Sequence, residues 1–309
     1  MKIVITGGAG FIGSHFAEHF SDNGDEVHII DNLRSGYKKN IENLNVIFHE
    51  GSITDFNLVD AVLEKADAVI NLAALVSVPE SLQKPYETVE INVNGVLNIL
   101  EAARKHGVKK IIHASSAAVY GDNPEQPKRV TMKPEPKTPY AITKLDGEYY
   151  LRMYASEYGM NANSLRFFNV YGPRQDPKSQ YAAAIPIFIH NAVNGKDITI
   201  FGDGEQTRDF VYVKDVVRAG VSAIGFQGKG ETFNVATGKS VSINEIAKTI
   251  IEITGSKSKI IYADERPGDI KHSSASIDET TEALGFKPKY DLKYGLEQTI
   301  KFFTEKKTQ

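Results

Sequence analysis

A glycine-rich turn between a short apolar strand and a helix is the feature that most restricts how this chain can fold. The predicted strand Lys2–Thr6 runs into Thr6-Gly7-Gly8-Ala9-Gly10-Phe11-Ile12-Gly13, and an amphipathic helix follows. Glycines here allow a tight turn, let the backbone approach a pyrophosphate, and let the helix pack closely on the strand. The helix N-terminus adds free N–H groups and a positive dipole, which favour phosphate. The segment therefore predicts a dinucleotide site, against the alternative of a plain glycine turn.

The second predicted strand, Glu26–Asp31, indicates which dinucleotide would bind. It ends in a carboxylate, and Asp31 can accept hydrogen bonds from the hydroxyl groups of an adenosine ribose. The same negative charge would repel a 2′-phosphate. NAD is therefore favoured over NADP, although Arg34 lies close in the sequence and would favour the opposite choice.

Short apolar strands alternate with helical segments through the first half of the chain, as is typical of a parallel sheet covered by helices on both faces. Further strands are expected at Asn45–His49, Ala68–Leu72, Lys110–Ala114 and Asn163–Phe167, with helices near Phe11–Asp22, Asn57–Lys65, Thr88–His106, Tyr140–Tyr158 and Tyr294–Thr304. The predicted fold class is α/β, a Rossmann-type doubly wound parallel sheet with a smaller C-terminal α/β substrate domain. Residues 1–168 would form the dinucleotide-binding domain, to which a segment near 205–238 returns. Residues 169–309 would form most of the substrate domain.

Tyr140 and Lys144 have the spacing that places two side chains on one face of a helix, one turn apart. A lysine ammonium near a phenol favours the phenolate and lowers a pKa that is otherwise near 10. Such a tyrosine can act as base and acid at neutral pH. The proline-rich stretch 122–139 predicts a loop that carries Tyr140 into place. The alternative is a surface tyrosine on an amphipathic helix.

Composition excludes several classes of function. The net charge of −3 gives no reason to expect nucleic acid or an anionic membrane as a partner, and no apolar run is long enough to span a bilayer. The absence of cysteine excludes disulfides and thiolate chemistry, and the eight histidines lack the spacing of metal ligands, so no metal is expected. Because the glycine loop begins at the N-terminus, we expect no signal peptide and a cytoplasmic location.

Several motifs in order along the chain resemble those of the extended short-chain dehydrogenase/reductase family, and within it the nucleotide-sugar 4-epimerases. The matching segments are Thr6–Gly13, Asp31-Asn32-Leu33, Leu72-Ala73-Ala74, Asn92-Val93-Asn94-Gly95, Ser115–Gly121, Tyr140–Lys144, Arg166–Asn169, Arg208-Asp209-Phe210 and Arg266-Pro267-Gly268-Asp269. The resemblance extends from Gly7 to about Phe286, which is nearly the whole chain. It implies NAD as the cofactor and a UDP-sugar as the substrate.

The resemblance also implies a role for each matched position. Ser116, Tyr140 and Lys144 would be catalytic. The cofactor would contact Gly7, Gly10, Phe11, Ile12, Gly13, Asp31, Asn32, Ser35, Gly36, Ser52, Ile53, Leu72, Ala73, Ala74, Val76, Asn92, Ser115, Tyr140, Lys144 and Phe168. The substrate would contact Ser116, Tyr140, Asn169, Phe201, Arg208, Arg266, Asp269 and Ser273. Ser52 departs from the family pattern, in which an aspartate usually stands at this adenine-contacting position.

Two alanines beside Ser116 favour epimerisation over elimination. Ser116 would hydrogen-bond the sugar O4 as it becomes a carbonyl, unless it only caps the end of its strand. Similar dehydratases and decarboxylases carry Asp or Glu at the next two positions, where this chain has Ala117 and Ala118. Alanine cannot move protons. We therefore expect reversible oxidation at C4, in which Tyr140 takes the 4-hydroxyl proton while hydride passes to NAD. The 4-keto sugar would then turn, and hydride would return to its opposite face.

Three segments favour an N-acetylhexosamine as the sugar. The runs from Asn169 to Pro186 and from Ala73 to Pro79 are similar to those of epimerases acting on UDP-N-acetylglucosamine. Counting along Arg266-Pro267-Gly268-Asp269, the family's pocket-gating position falls on Ser273. A tyrosine there narrows the pocket in glucose-restricted relatives, whereas serine leaves room for an acetamido group. Ser273 is otherwise an exposed polar loop residue.

Other functions remain open from the sequence alone. The enzyme could be a UDP-glucose-restricted epimerase, or a UDP-glucuronate 4-epimerase with Arg174 as an added cation. A non-catalytic NAD-binding regulator is a remote alternative. Relatives also pair two long helices across a two-fold axis, so a homodimer is expected, with an apolar stripe formed by Val89, Val93, Val96, Leu97 and Leu100. The same stripe could pack on the protein's own sheet.

Overall fold

The computed structural model describes residues 1–177, 184–265 and 271–305. Its strands are β1 Lys2–Thr6, β2 Glu26–Asp31, β3 Val46–Glu50, β4 Ala68–Asn71, β5 Lys110–Ser116, β6 Asn161–Phe167, β7 Asn169–Tyr171, β8 Ile198–Phe201, β9 Thr207–Arg208, β10 Phe210–Tyr212, β11 Thr232–Val235, β12 Val241–Ser242, β13 Ile260–Ala263 and β14 His272–Ser273. Its α-helices are α1 Phe11–Asp22, α2 Phe56–Leu63, α3 Val78–Gln83, α4 Pro85–Val89, α5 Gly95–His106, α6 Pro139–Tyr158, α7 Ala184–Val193, α8 Val213–Gly225, α9 Ile243–Thr254, α10 Asp278–Leu284 and α11 Leu292–Glu305. A π-turn at Glu90–Asn94 joins α4 to α5, and 3₁₀ turns lie at Lys38–Asn40 and Ala117–Tyr120.

A seven-stranded parallel sheet forms the centre of the fold, in the order β11-β6-β5-β4-β1-β2-β3. Side chains alternate between its faces, because successive residues of a strand point in opposite directions. Ile3 and Ile5 of β1 thus pack with α1 and α8 on one face, whereas Val4 packs with α2, α5 and α6 on the other. The strand order reverses between β1 and β4, which places a crevice at their carboxyl ends. The predicted α/β fold class is confirmed.

The C-terminal half builds a second apolar core and also contributes to the first sheet. Helices α7, α9 and α11 enclose the second core with β8, and the small sheets β13-β8, β10-β7 and β12-β9-β14 lie in this half. The segment 205–238 that was predicted to return contains α8, which packs on α1, and β11, which pairs with β6. The domain division itself remains a prediction.

Local contacts explain where the predicted element boundaries were wrong. The helix that begins at Phe56 ends at Leu63 rather than Lys65, since Lys65 has a positive φ of 60°. Strand β3 begins one residue later than predicted because the Asn45 N–H donates to Ser21 Oγ instead of joining the ladder. The predicted helix 88–106 instead starts at Pro85 and contains the π-turn.

The apolar stripe proposed for dimerisation is mostly internal. Val93, Val96 and Leu100 are buried in the chain's own core, and Leu97 packs against that core. The structure thus bears out the alternative that the stripe packs on the protein's own sheet, for Val96, Leu97 and Leu100. Another set of apolar side chains is exposed on the same layer, namely Leu82, Tyr86 and Val89 before the π-turn and Ile142, Tyr149 and Met153 on α6.

Candidate functional site

The glycine loop has no room for side chains. Gly7 has a φ of +70°, and a Cβ there would lie 2.8 Å from the Ala73 nitrogen. A Cβ on Gly13 would lie 2.1 Å from the Gly7 carbonyl oxygen. Both contacts are with backbone, which cannot move aside. Helix α1 starts from Gly10 without a side-chain cap, so its N-terminus remains available for an anion. This cradle fits the predicted pyrophosphate.

Asp31 is held at the end of β2 by the loop it faces. Its Oδ2 accepts from the Ala9 N–H at 3.0 Å, and its Oδ1 accepts from the Leu33 N–H at 2.8 Å. Burial raises the pKa of the Asp31 carboxyl, and these two N–H donors oppose that rise. Gly36 packs against the carboxylate, because a Cβ there would lie 3.0 Å from both Asp31 oxygens.

Arg34 is already paired with two carboxylates. Its guanidinium contacts Glu87 at 2.5 Å and Glu80 at 2.7 Å, and both partners precede the π-turn. A guanidinium that must leave two ion pairs is a poor ligand for a 2′-phosphate. The geometry therefore supports Asp31, rather than Arg34, as the residue that selects the dinucleotide.

A cavity of about 440 Å³ lies at the carboxyl ends of the central strands. It is lined by Gly7, Gly10, Phe11, Ile12, Gly13, Ile30, Asp31, Asn32, Arg34, Ser35, Gly51, Ser52, Ile53, Leu72, Ala73, Ala74, Val76, Ile91, Ala114, Ser115, Ser116, Tyr140, Lys144, Phe167, Phe168, Val170, Gln175 and Asp176. Of the predicted cofactor residues, Gly36 and Asn92 are absent from this lining. Because the glycine cradle, Asp31 and the catalytic candidates share one cavity, they can serve one extended ligand.

Ser116, Tyr140 and Lys144 come together at one end of this cavity. Ser116 ends β5, and α6 begins at Pro139, with Thr138 capping it by accepting from the Ala141 N–H. The Lys144 ammonium lies 5.8 Å from the centroid of the Tyr140 ring and donates to the Ala114 carbonyl at 2.7 Å. The helix start therefore fixes Tyr140, and the adjacent strand fixes Lys144.

The pKa of Tyr140 moves in the direction opposite to the expected one. Burial raises the pKa of the phenol, and a hydrogen bond with Ser116 lowers it less. Burial also lowers the pKa of Lys144, to about 8. Desolvation acts against both charged forms and outweighs the attraction between them. The protein alone therefore does not supply a stable phenolate at neutral pH.

Asn92 is not among the residues that line the cavity, but it connects two segments that do. It is buried, its Oδ1 accepts from the Leu75 N–H at 2.7 Å, and its Nδ2 donates to the Leu75 carbonyl and to Thr143 Oγ1. Thr143 in turn donates to the Tyr140 carbonyl. The side chain thus joins the Leu72–Val76 loop to the first turn of α6, and its amide is already satisfied. The contact of Asn92 with the cofactor remains a prediction.

A buried ion pair lies one helical turn beyond Lys144. Arg166 on β6 makes two hydrogen bonds to Glu148 on α6, at 2.8 and 2.7 Å. Ser115 Oγ donates to the same carboxylate at 2.5 Å, and Ser115 also lines the cavity. The Arg166 guanidinium also lies 4.8 Å from the centroid of the Tyr120 ring. Sequence reasoning missed this network, because its members are separated in the chain.

The predicted substrate residues are less fully assembled. Arg208 and Ser273 stand opposite each other in the β9–β14 pairing, and Asn169 donates to the Asp209 carbonyl. Phe201 ends β8. None of these four lines the described part of the cavity. Arg266 and Asp269 lie outside the described residues.

The cavity also contains residues that the sequence did not indicate. Ile91 reaches it from the π-turn, a local irregularity without a sequence signal. Gln175 and Asp176 reach it from the segment after Pro173, where the Tyr37 hydroxyl donates to Asp176 at 2.6 Å. These contacts close the cavity wall between the glycine loop and the C-terminal half.

The fold and site together define an α/β enzyme of the extended short-chain dehydrogenase/reductase class. The family model "NAD dependent epimerase/dehydratase family" matches residues 3–236, and the chain belongs to this family. A UDP-glucose 4-epimerase of Mycolicibacterium smegmatis is 38% identical over 312 residues, covering 99% of both chains.

Two solved structures are similar over nearly their whole length. A UDP-N-acetylglucosamine 4-epimerase from Methanobrevibacter ruminantium M1, in complex with UDP-N-acetylmuramic acid, has a TM-score of 0.95 and 40% identity, covering 99% of this chain and 98% of the other. A UDP-glucose 4-epimerase from Thermotoga maritima, with UDP-glucose, has the same TM-score and identity and covers 99% of both chains.

No helix in residues 1–177, 184–265 and 271–305 has the length and apolar character to cross a membrane. Over the same ranges, no group of His, Cys, Asp or Glu side chains has an arrangement that could hold a metal ion.

The pKa of Lys144 predicts a pH-dependent effect on stability. A lysine whose pKa falls from 10.5 to about 8 on folding destabilises the protein fully below pH 8, and this destabilisation fades as pH rises toward 10.5. We expect Lys144→Met to raise the Tm relative to the wild type at pH 7, with a difference that shrinks between pH 8 and 10. Differential scanning fluorimetry without added nucleotide measures it.

The exposed Lys133 provides the control, because Lys133→Met removes a charge that is not buried. A Lys144→Met difference that stayed constant across this pH range would show that the ammonium is not desolvated.

Proposed function

We propose that the protein is an NAD-dependent UDP-sugar 4-epimerase. The observation that carries the proposal is a Ser116–Tyr140–Lys144 group flanked by Ala117 and Ala118, so no second acid or base stands next to Ser116 in its turn. The carboxylates of the described cavity wall, Asp31 and Asp176, are engaged near the glycine loop. Elimination or decarboxylation would need such a group beside the sugar. The relatives named for 4-epimerisation support the same conclusion.

The cavity residues fit NAD. The glycine cradle would take the pyrophosphate, and Asp31 the adenosine ribose. Ile53 would cover the adenine; Gly95 allows its position, since a Cβ there would lie 2.5 Å from Ile53 Cδ1. Lys144 and Phe168 line the catalytic end, where the nicotinamide ribose and ring would lie. NAD, when bound, accepts and returns hydride and brings a positive charge that favours the ionised Tyr140.

Tyr140 would move the proton of the sugar 4-hydroxyl. As the phenolate, Tyr140 would take that proton on oxidation and become a neutral phenol, and it would return the proton on reduction, while Ser116 hydrogen-bonds the sugar O4. Lys144 keeps its position through the Ala114 carbonyl and lies on the same cavity wall as Tyr140. Asn92 donates to Thr143 on α6, and Glu148 on α6 accepts from Ser115. Both contacts fix α6, which carries Tyr140 and Lys144, relative to Ser116.

Among UDP-sugars we propose interconversion of UDP-N-acetylglucosamine and UDP-N-acetylgalactosamine, and of UDP-glucose and UDP-galactose. Ser273 is small and stands beside Arg208, so an acetamido group would find room next to the residue proposed to bind the diphosphate. Arg174 supports the glucuronate alternative poorly. Its guanidinium donates to the Ser14 carbonyl and pairs with Glu18 on α1.

We also propose that two copies pair through α6 and the α3–α4 segment. Ile142, Tyr149 and Met153 form one exposed apolar row on α6, and Leu82, Tyr86 and Val89 form a second row on the adjoining helices. Tyr86 is 90% exposed in the single chain. Two neighbouring apolar rows suit a self-complementary interface of two-fold symmetry.

The reaction is tested first with the wild type and Tyr140→Phe. Wild-type protein should convert UDP-N-acetylglucosamine and UDP-glucose to their 4-epimers, followed by NMR without and then with added NAD. Tyr140→Phe should lower turnover by about 10²–10⁴-fold, because the proton carrier is lost, while NAD affinity measured by calorimetry is unchanged. Tyr158→Phe, at the far end of α6, is the matched control. Near-normal turnover in Tyr140→Phe would show that another group is the base.

The sugar preference is tested at Ser273. Ser273→Tyr should depress kcat/KM for the N-acetylated substrate selectively, because the larger side chain would occupy the space of the acetamido group. Ser273→Ala, which stays small, should leave the ratio between the two sugars unchanged. An equal loss for both sugars in Ser273→Tyr would contradict the gate.

The proposed dimer is tested by analytical ultracentrifugation. Tyr149→Glu combined with Met153→Glu should convert a dimer to a monomer, since charges would be buried in an apolar interface. Ile261→Glu, which places a charge on the exposed strand β13 outside the two rows, should not change the mass. A monomeric wild type would refute the interface.

A further inference from the structure

A glutamine in the loop between the two catalytic segments binds the strand that carries Ser273. Gln126 Nε2 donates to the His272 carbonyl at 3.0 Å, and Gln126 Oε1 accepts from the Ser274 N–H at 3.0 Å and from Ser274 Oγ at 3.2 Å. One side-chain amide thus holds the backbone on both sides of Ser273. The residue is not assigned a role by sequence pattern, because the contact joins distant segments.

The other edge of the same strand is held by the arginine strand β9. Ser273 is paired with Arg208, and the Thr207 N–H donates to the Lys271 carbonyl at 2.9 Å. β14 has two residues, too few to fix its own position by ladder hydrogen bonds. Its position therefore depends on what lies on both sides, namely β9 and Gln126.

The loop that carries Gln126 is held by hydrogen bonds within itself and with residues 274–276. Lys128 is buried and donates through Nζ to the Asn123 and Glu125 carbonyls, which closes the loop on itself. Its backbone N–H donates to the Ser274 carbonyl, and its carbonyl accepts from the Ser276 N–H. The chain thus runs beside 274–276 like a short added strand.

A buried asparagine links this arrangement to the motif that begins at Ser116. Asn234 of β11 donates to the Lys128 and Ser276 carbonyls and accepts from the Tyr120 hydroxyl at 2.7 Å. Tyr120 ends the 3₁₀ turn that starts after Ser116. The Ser273 strand is therefore tied to the catalytic turn through the polar groups of one loop, with Gln126 as its outermost contact.

We propose that Gln126 is a positioning residue for sugar selectivity, acting through the backbone of His272–Ser274. This inference rests on the proposed function, since it assumes that a UDP-sugar lies between Tyr140 and the Arg208–Ser273 pair. A small gating side chain discriminates between sugars only if its backbone is fixed. Loss of the amide frees that backbone while leaving the reacting groups in place.

The experiment compares Gln126→Ala with the wild type on UDP-N-acetylglucosamine and UDP-glucose. Losing hydrogen bonds of ordinary strength should raise KM by about five- to tenfold and bring the kcat/KM values for the two sugars closer together, with kcat changed by less than about twofold. Gln126→Glu keeps the acceptor for Ser274 but sets a carboxylate oxygen against the His272 carbonyl oxygen, so its KM should rise at least as far as that of Gln126→Ala. Asn123→Ala, in the same loop, removes a side-chain contact with the Glu125 N–H only and should match the wild type.

A purely structural role makes different predictions. It gives an equal fall in kcat for both sugars with a lowered Tm, and this result would overturn the proposal. Calorimetric titration with each UDP-sugar and with UDP alone separates the two hypotheses. If the wild type bound UDP-sugars without turnover, the proposed function would fail. The role of Gln126 would still be tested by comparing the UDP-sugar affinities of the wild type and Gln126→Ala. Equal affinities in wild type and Gln126→Ala would refute the positioning role in either case.

Discussion

The buried pair of Glu148 and Arg166 is the interaction on which the arrangement of the site most depends. It joins α6 to β6, and Ser115 adds β5 to the same carboxylate. Replacing such a pair by apolar side chains is often neutral or stabilising, so stability alone does not explain its presence. The two-pronged geometry fixes distance and orientation, and on the same helix Lys144 lies about one turn and Tyr140 about two turns from Glu148. A sliding apolar contact would not hold these groups opposite Ser116.

Desolvation then shifts the pKa values of Tyr140 and Lys144, the residues that this ion pair helps to position. Burial raises the pKa of Tyr140 and lowers that of Lys144, so each residue is biased towards its neutral form. Ser116 acts in the opposite sense on Tyr140, but more weakly than burial. Under the proposed mechanism, the positive charge that NAD brings into the cavity would favour the ionised form of Tyr140.

Periodic and local features were predictable from sequence, whereas contacts between distant segments were not. The glycine loop, Asp31 and the strands β1 and β2 follow from patterns within a few residues. Asn92 and Ser115 were placed at the cofactor because their positions in the chain matched a motif. The hydrogen bonds of Asn92 with Leu75 and of Ser115 with Glu148 join distant segments, and no local pattern shows them. The burial of the predicted apolar stripe likewise depends on packing against the sheet, which a helical pattern alone does not specify.

The proposed reacting residues lie on the central sheet and α6, whereas the proposed sugar-selecting residues lie on short C-terminal strands. This separation would allow one fold to accept different sugars. Ser116, Tyr140 and Lys144 are held by the central sheet and α6, where buried ionic and amide groups leave little freedom. The Arg208–Ser273 pair lies on strands of two residues, held by loop contacts and partly exposed. Changes there need not disturb the reacting groups. The two similar structures, one named for UDP-N-acetylglucosamine and one for UDP-glucose, have the same TM-score of 0.95 to this chain, so one overall fold occurs in epimerases named for different sugars.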